Sequence, residues 1–528
     1  MRFLPAGKTN LLVELDSLEQ VLALHSSLRT DPVAGMTDLI PAAQTLMVGF
    51  DPDCISAAGL ARAISPRDLT GLVAGTGCIV EVPVEYNGQD LDEVADLTGL
   101  DRAEVIIRHT AIPWLAAFNG FAPGFCYLTG GDPDLNVPRR SNPRTEIPAG
   151  SVALAGAFSG VYPQSSPGGW QIIGTTPVPM WDLGRAPPAW LTPGDTVRFV
   201  DIARSERCWS LPPLPHRIRT QAAPLPACLE VLAAPFPATF QDDGRKGLPD
   251  QGVAGSGAVD QGALRALNRL LGNPPRTPAL EVIGGGFRFR SSKAAVIALT
   301  GAPRKLILNG GMTEFSSHQP VAVDAGDEVL LTAPDGGVYG YLGVRGGLEV
   351  TPVLGSASTD TLARIGPDAI VTGSRIGLRQ SRADAVTSSL SLPVLPRPGD
   401  LVKVDVIMGP RSDWFTDEAA DLFLSQKWKI SPQSSRVGKR LEGEVSLARR
   451  DQRELPSEAT PLGAIQIPHS GQPVLFLADH PLTGGYPVIA VVAPHHLDLV
   501  AQVPPGGWLR FCASAPFAPH NPDIDRGF

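Results

Sequence analysis

Apolar and polar positions follow two rhythms along the first hundred residues. LLVEL (11–15) and TLMVGF (45–50) are apolar runs of strand length, and VEVPVEY (80–86) alternates as a further strand would. Between the first two, Ser17 and Gln20 form a capping-box pattern ahead of Leu18, Val21, Leu22, His25 and Leu28 at helical spacing. A second helix over roughly 54–64 stops at Ser65-Pro66, and 91–110 reads as two short helices. Together these predict a small α/β domain of βαβ type. From 119 to about 202 the pattern changes to short strands and Gly/Pro turns, and 211–226 (LPPLPHRIRTQAAPLP) reads as a linker. Beyond it, Ala263, Ala266, Leu267, Leu270 and Leu271 mark one amphipathic helix ending at Gly272-Asn273. The remainder, about 275–515, is mostly strands and turns.

An internal echo organises this pattern. PAGSVAL (148–154) is matched by PLGAIQI (461–467), GGWQII (168–173) by GGYPVI (484–489), and PGDTVRF (193–199) by PGGWLRF (505–511). Three ordered blocks, each a turn and then a strand, predict two related β domains that should superimpose over 119–205 and about 395–515. The predicted organisation is an N-terminal domain (1–95), a first barrel (96–205), a linker (206–228), the first part of a second half (229–394) and a second barrel part (395–528). The fold class is α+β and mostly β. Both copies place arginines shortly before the first Pro-x-Gly turn, in VPRRSNPR (137–144) and SSRVGKRLEG (434–443). Barrels packed with pseudo-twofold symmetry would make an arginine-lined cleft, suited to an anionic ligand.

Composition narrows the classes. The 56 glycines and 52 prolines are spread out rather than repeated, which fits a turn-rich β protein. A net charge of −9 argues against nucleic acid as a partner. The sequence has no apolar stretch of membrane-spanning length and no basic-then-apolar leader near the start, so a cytoplasmic location is expected. The six cysteines form no CxxC pair, and no metal site is expected. NGFAPGFCYLTGG (119–131) stands out, because four glycines and a proline interrupt Phe121, Phe125, Tyr127 and Leu128. Either it is a plain turn, or something approaches its backbone closely.

GFAPGFCYL, PRRSNPR, IPAGSVALAG and VYPQSSPGGWQIIG resemble the allophanate hydrolase subunit 1 family, which includes a sporulation kinase inhibitor and the B component of 5-oxoprolinase. DDGRKG (242–247), GVAGSGAVDQGALRALNRLLGN (252–273), LGSAST (354–359), RVGKRLEG (436–443) and GAIQIPHSGQPV with TGGYPVIA resemble subunit 2, that is the C component of 5-oxoprolinase. The same pair resembles the carboxyltransferase region of urea carboxylase. The resemblance covers nearly the whole chain and implies cyclophilin-like β-barrels in both halves. Two departures stand in the first half: PAGKTNLLVE lacks the usual Gly-Asp opening, and Trp114 replaces an expected tyrosine.

The chemistry is bounded by what is missing. There is no amidase Ser-Ser-Lys setting and no GxSxG elbow, and Gly7-Lys8-Thr9 lacks the first glycine of a P-loop because position 2 is Arg2. No Met-Lys-Met pattern accepts biotin, so a biotin carrier could act only in trans. The candidate catalytic residues are Asp479, His109, Arg144 and Arg440. The candidate substrate or nucleotide contacts in the first half are Gly124, Phe125 and Tyr127, Arg139 and Arg140, Gly150 and Ser151, and Ser166 with Gly168, Gly169 and Trp170. In the second half they are Gly244 and Arg245, Ser256, Gly257 and Asp260, Arg436, Gln466, and Thr483 with Gly484, Gly485 and Tyr486. Each has a plainer alternative: surface solvation for the arginines, N-capping for Ser256 or Asp260, and a structural role for His109. MGPRSDWF (408–415) is the expected counterpart of GFAPGF.

By resemblance, the leading expectation is a fused B plus C component of an ATP-dependent 5-oxoprolinase, using ATP with Mg and completed by a separate A component. A biotin-dependent carboxyltransferase acting on urea or a related amide is the second reading. A regulatory binder of a histidine kinase is the third. A small-molecule amide is the expected substrate, and homo-oligomerisation is left open.

Overall fold

The computed structural model describes residues 1–70, 77–140, 142, 144–205 and 227–522, so most of the expected linker lies outside the described residues. The N-terminal domain contains β1 (Arg2–Pro5), β2 (Asn10–Glu14), α1 (Leu18–Thr30), β3 (Met36–Pro41), β4 (Thr45–Phe50) and α2 (Ala57–Ile64). Ser17 caps the helix, the Gln20 N–H donating to Ser17 Oγ, while the reciprocal bond of the expected capping box shifts by one residue: Gln20 Oε1 accepts from the Asp16 N–H at 3.1 Å. Val21, Leu24 and Leu28 of α1 and Leu60 of α2 meet Leu11, Val13, Leu46 and Val48 of the sheet in one core. The two helices fall where expected, but the element order is ββαββα, the sheet order is β1-β2-β4-β3 and every pairing is antiparallel, so the domain is not of βαβ type.

The first barrel uses β5 (Ile79–Val84), β6 (Trp114–Asn119), β7 (Cys126–Thr129), β8 (Ser151–Ala155), β9 (Phe158–Val161), β10 (Gln171–Thr175) and β11 (Thr196–Asp201). Between β5 and β6 run α3 (Leu91–Thr98) and α4 (Arg102–Ala111), the two short helices expected there. The barrel therefore begins near residue 79, not 96. β5 is drawn in by parallel pairing with β11, from Ile79↔Thr196 to Val84↔Asp201, and a partner that distant leaves no local mark in the sequence. The strand order is β10-β8-β9-β7-β6-β11-β5, and a bridge between Glu85 and Thr175 brings the two edges together.

Residues 228–377 form a six-stranded and a five-stranded sheet around a shared core. The amphipathic helix α5 (Gln261–Leu271) packs beside them, ending at a left-handed Gly272 as expected. The second barrel uses β12 (Leu401–Met408), β13 (Trp428–Ile430), β14 (Gly438–Glu442), β15 (Ala464–Gln466), β16 (Val474–Phe476), β17 (Val488–Val492) and β18 (Trp508–Ala513), with α6 (Asp417–Ser425) between β12 and β13. It closes in the order β12-β17-β15-β16-β14-β13-β18, with β12 and β18 parallel.

Taken strand by strand in chain order, the two barrels have the same connectivity. The three echo blocks fall on β8/β15, β10/β17 and β11/β18, so the paired turns are topologically equivalent. A further echo lies outside those blocks. Trp114 Nε1–H donates to the His109 carbonyl at 3.1 Å, and Trp428 Nε1–H to the Phe423 carbonyl at 2.9 Å. In each barrel, a tryptophan opening the second strand braces the end of the preceding helix.

Two expectations fail on this topology. The counterpart of GFAPGF, between β6 and β7, is 431–437 between β13 and β14; MGPRSDWF follows β12, where the first barrel has 85–90. The arginine pairs are not equivalent either, since Arg139 to Arg144 follow β7 whereas Arg436 to Arg440 run into β14. In both cases similar residues occupy different loops of the shared topology. No helix among the described residues is long and apolar enough to cross a membrane.

The halves are fastened to one another by buried polar contacts. Arg411, 3% exposed, forks onto Glu458 (Nε to Oε1 2.9 Å) and reaches Glu14 of β2 at 2.6 Å. Arg2 continues the chain to Glu14 and Asp413 at 2.7 and 2.9 Å. Burial alone would lower the Arg411 pKa, but Glu458 and Glu14 raise it. Removing one partner of such a network strands a buried charge, at a cost of about 3–5 kcal/mol. Residues 1–205 and 227–528 produced as separate polypeptides should therefore co-elute as one complex on size exclusion, and Arg411→Ala should weaken that association so that the complex dissociates on dilution where the wild-type pair does not. Co-elution on dilution unchanged by Arg411→Ala would show that this network does not hold the halves together.

Candidate functional site at the seam between the halves

GFAPGF meets the second half directly. Phe121 adopts a left-handed φ of 62°, and its N–H donates to Thr483 Oγ1 at 2.8 Å. A Cβ on Gly120 would lie 2.6 Å from that hydroxyl oxygen. Gly124, at φ 75°, donates its N–H to the Gln251 carbonyl, and Asn119 Nδ2 donates to the Asp250 carbonyl at 2.7 Å. The glycines thus let the backbone of one half approach the other, which a side chain would prevent. Phe125 anchors the loop among Tyr127, Tyr162 and Trp170, with ring centroids 5.2–5.3 Å from it. Tyr127 also reaches across, its hydroxyl 3.1 Å from Ser457 Oγ.

Arg139 reaches from the first half to the second copy's glycine turn. Its Nε lies 3.0 Å from Glu454 Oε1 and its Nη2 donates to Ser457 Oγ at 3.3 Å, while a Cβ on Gly485 would lie 2.7 Å from its Nη1. Its charge also acts on the Tyr162 hydroxyl, as does that of Arg144, although burial dominates and raises that phenol. A Cβ on Gly168 would collide with the same hydroxyl. Gly169 accepts the Arg140 N–H at 2.7 Å, and Ser166 lies on the short strand beside Arg144. Gly484 and Gln466 adjoin, and Tyr486 packs edge-on to His469 with Arg449 over its ring. Gly150 is a positive-φ turn glycine against the Thr176 carbonyl, and Ser151 is buried in β8.

Several expected site residues go elsewhere. Arg144 forks onto Asp90 at 2.6 and 2.8 Å, and Arg140 bonds Asp90 and Glu93, so both cations are neutralised within the first barrel. Arg440 is exposed on β14 and is the residue across from Val474. Arg144 and Arg440 therefore do not form one clamp, because strand alternation turns Arg440 outward while Asp90 holds Arg144. His109 is fully buried, with Nδ1 2.7 Å from the Tyr86 hydroxyl, Nε2 3.0 Å from Ser159 Oγ, and its ring stacked on Phe199. Burial holds its pKa down at about 3, so it is a neutral core residue. Lys439 is buried too, its Nζ donating to the Val503 carbonyl, with burial lowering it to about 7.

Behind the seam lies a buried charge cluster. Arg436 donates to both oxygens of Asp479 at 3.0 Å, to Glu281 at 2.5 Å and to the Gly257 carbonyl at 2.7 Å. Asp479 also accepts from Ser256 Oγ at 2.7 Å and from the N–H and hydroxyl of Thr361. Burial pushes the Asp479 carboxyl up, but Arg436 and these donors hold it below the usual range. Ser256 has a left-handed φ of 54°, and Gly244 packs against the Gly255 and Ser256 carbonyls. Arg245 is buried against carbonyls, at 3.2 Å from that of Val353.

The expected anion site at the start of α5 is already filled. Asp260 caps the Ala263 N–H at 2.8 Å, and Asp498 accepts from the Gln261 and Gly262 N–H groups at 3.0 Å. Burial and the Asp498 charge raise Asp260 to about 6. No local pattern marks Asp360, a carboxyl that burial and the Asp479 charge raise to about 7. Glu281, bonded by Tyr341, and Gln502, bonded to Asp260 at 2.7 Å, complete the cluster. Among the described residues, the grouping that suits a metal is Asp405, His495 and His496, away from the seam, but His496 Nδ1 already accepts the Asp405 N–H at 2.8 Å.

Asp360 has a raised folded-state pKa, so its contribution to stability is complete below its ordinary value of 3.8 and is lost as pH rises through about 7. Asp479 has the opposite sign, stabilising above the ordinary carboxylate range and losing that on acidification. Asp360→Asn should flatten the decline in urea midpoint between about pH 5 and 7. An undiminished decline in that variant would remove Asp360 as its source.

Residues 251–513 match the family described as carboxyltransferase domain, subdomain A and B, and residues 1–191 match carboxyltransferase domain, subdomain C and D. The chain is 34% identical to the C component of 5-oxoprolinase from Escherichia coli over 52% of its own length and 87% of that protein. It is 38% identical to the B component of 5-oxoprolinase from Bacillus subtilis over 35% of its length and 84% of that protein. The crystal structure of TTHA0988 is similar across both halves, with TM-score 0.82 and 33% identity, covering 95% of this chain and 99% of that one.

Proposed function

Because this chain belongs to the carboxyltransferase-domain family, with relatives named as the B and C components of 5-oxoprolinase, we propose that it is the fused B plus C component of an ATP-dependent 5-oxoprolinase. The observation that carries this reading is that each half is separately similar to one named component, while a buried network locks the halves into one body. A separate A component would complete ring opening of 5-oxoproline to glutamate. A lactam resists hydrolysis because its nitrogen leaves poorly and its carbonyl is resonance-stabilised. ATP would supply a phosphoryl group to the amide oxygen, so that water adds more readily to the carbonyl carbon, the ring nitrogen departs as the amine of glutamate and the phosphoryl group is released as phosphate.

The chain's own part is binding and orientation. Arg139, partly exposed beside the Gly484-Gly485 turn and paired with Glu454, is suited to exchange that partner for the substrate carboxylate. The Phe121–Thr483 contact fixes the seam so that both turns keep their places. Asp479 and Arg436 act from behind, holding Ser256, Gly257 and Thr361. The carboxyltransferase reading retains support from the description of both matching families, with biotin delivered by another protein.

The purified chain alone should release little glutamate from 5-oxoproline and ATP, and addition of the A component should give ATP-dependent release. Full activity without the A component would overturn that division of labour, and carboxyl transfer from carboxylated biotin to urea would favour the second reading. Arg139→Ala should raise KM for 5-oxoproline about tenfold or more, with Arg139→Lys recovering only part, because lysine lacks the planar fork. An unchanged KM in Arg139→Ala would remove this residue from the substrate site.

A further inference from the structure

Two sequence motifs without a role at the seam, DDGRKG (242–247) and LGSAST (354–359), fold against each other. Asp242 joins them: Oδ1 accepts from the hydroxyls of Ser356 and Ser358 at 2.6 Å and from the Gly244 N–H at 2.9 Å, and Oδ2 accepts from the Ala357 N–H at 2.7 Å. All of these donors are neutral groups of the two loops, so Asp242, which also lines the cavity between them, holds the loops together. Val353 and Ser356 close a two-residue turn in which Leu354 and Gly355 both have positive φ, 52° and 80°. Leucine rarely adopts that conformation, and such an outlier is a pointer to function.

Between these loops lies a cavity of about 310 Å³, lined also by Lys246 and Arg276. That volume is at the small end of the range for ligand sites. The N–H groups of Lys246, Leu354 and Gly355 have no acceptor among the described residues. The two cations share one carboxylate, Asp243 Oδ2, at 3.7 and 3.0 Å, and both remain largely exposed. Asp38 of β3 also faces Lys246, with burial raising its carboxyl. Arg245, 5% exposed, donates to the carbonyls of Val353, Ser358 and Ile365, and its Nη1 has no partner among the described residues. Arg245 lies outside the cavity lining, and the charges of Asp360, Asp242 and Asp479 act on it.

We propose that this cavity binds the phosphate chain of a nucleotide. Free amides on a positive-φ turn and two movable cations form an acceptor for a polyanion. Asp243 holds the cations until phosphate oxygens displace it. The start of α5, where a phosphate would otherwise be sought, is taken by Asp260 and Asp498. The identity of the ligand as ATP rests on the function proposed above; the place and the phosphate chemistry rest on this geometry.

The test is calorimetric titration of the full chain, without the A component, using ATP, inorganic tripolyphosphate and AMP. ATP and tripolyphosphate should compete, and AMP should bind much more weakly. Lys246→Ala and Arg276→Ala should each weaken ATP about tenfold with an unchanged melting temperature. Asp243→Asn should tighten ATP, because it releases both cations, and a structural role for Asp243 would not produce that change of sign. Wild-type affinity in both cation variants, or no binding of ATP or tripolyphosphate at all, overturns the site. Glutamate release that is ATP-dependent but indifferent to these substitutions overturns the site while sparing the function. Phosphate binding at the cavity without glutamate release when the A component is added overturns the function while sparing the site.

Discussion

The second half is organised around one buried guanidinium. Arg436 has no water to solvate it, so it must be paired, and its partners come from the loop before α5, a strand of the five-stranded sheet and the loop after β16. Those segments would otherwise be free to slide on apolar surfaces, which specify area better than register. Directional bonds to Asp479, Glu281 and the Gly257 carbonyl leave one arrangement. Thr361 and Ser256 then hang from the same carboxylate, and Thr483 follows a turn later in the chain to meet Phe121. The seam is thus positioned by charges that lie behind it.

Much of this is legible in the sequence, and what is not has a common cause. The echo blocks are local, each a glycine turn followed by its strand, and all three fall on equivalent strands. The Ser17 cap of α1 and the end of α5 are also written within a few adjacent residues. Parallel pairing of β5 with β11 is not local, so the start of the barrel reads too late from the sequence. Glu14 and Arg411 are 397 positions apart, and no periodicity links them. Arginine-rich stretches look alike whether a neighbouring carboxylate neutralises them or not. Asp90 decides this for Arg144, and strand alternation decides it for Arg440.

The two barrels share a frame but not an interior. Both keep a tryptophan brace on the helix before the second strand. Inside, the first encloses a neutral imidazole between a phenol and a serine hydroxyl, and the second encloses an amine held by one carbonyl. Connectivity and the helix brace survive such divergence because they depend on backbone geometry and one indole. Interior polar groups need only local satisfaction, so each copy has found its own.

The parallel contact between the first and last strands of each barrel has a consequence for how the chain is made. A barrel whose edges meet in this way cannot shut until its final strand has left the ribosome, since Leu401 waits for Trp508 and Ile79 for Thr196. Such long-range pairing is slow and leaves strand edges open in the meantime. In a single polypeptide the first barrel can close while the second is still being synthesised. The finished surface around Phe121 and Arg139 then stands ready as a template against which residues 457 and 483 settle on arrival. Joining the halves covalently thus sets an order of assembly as well as a fixed stoichiometry.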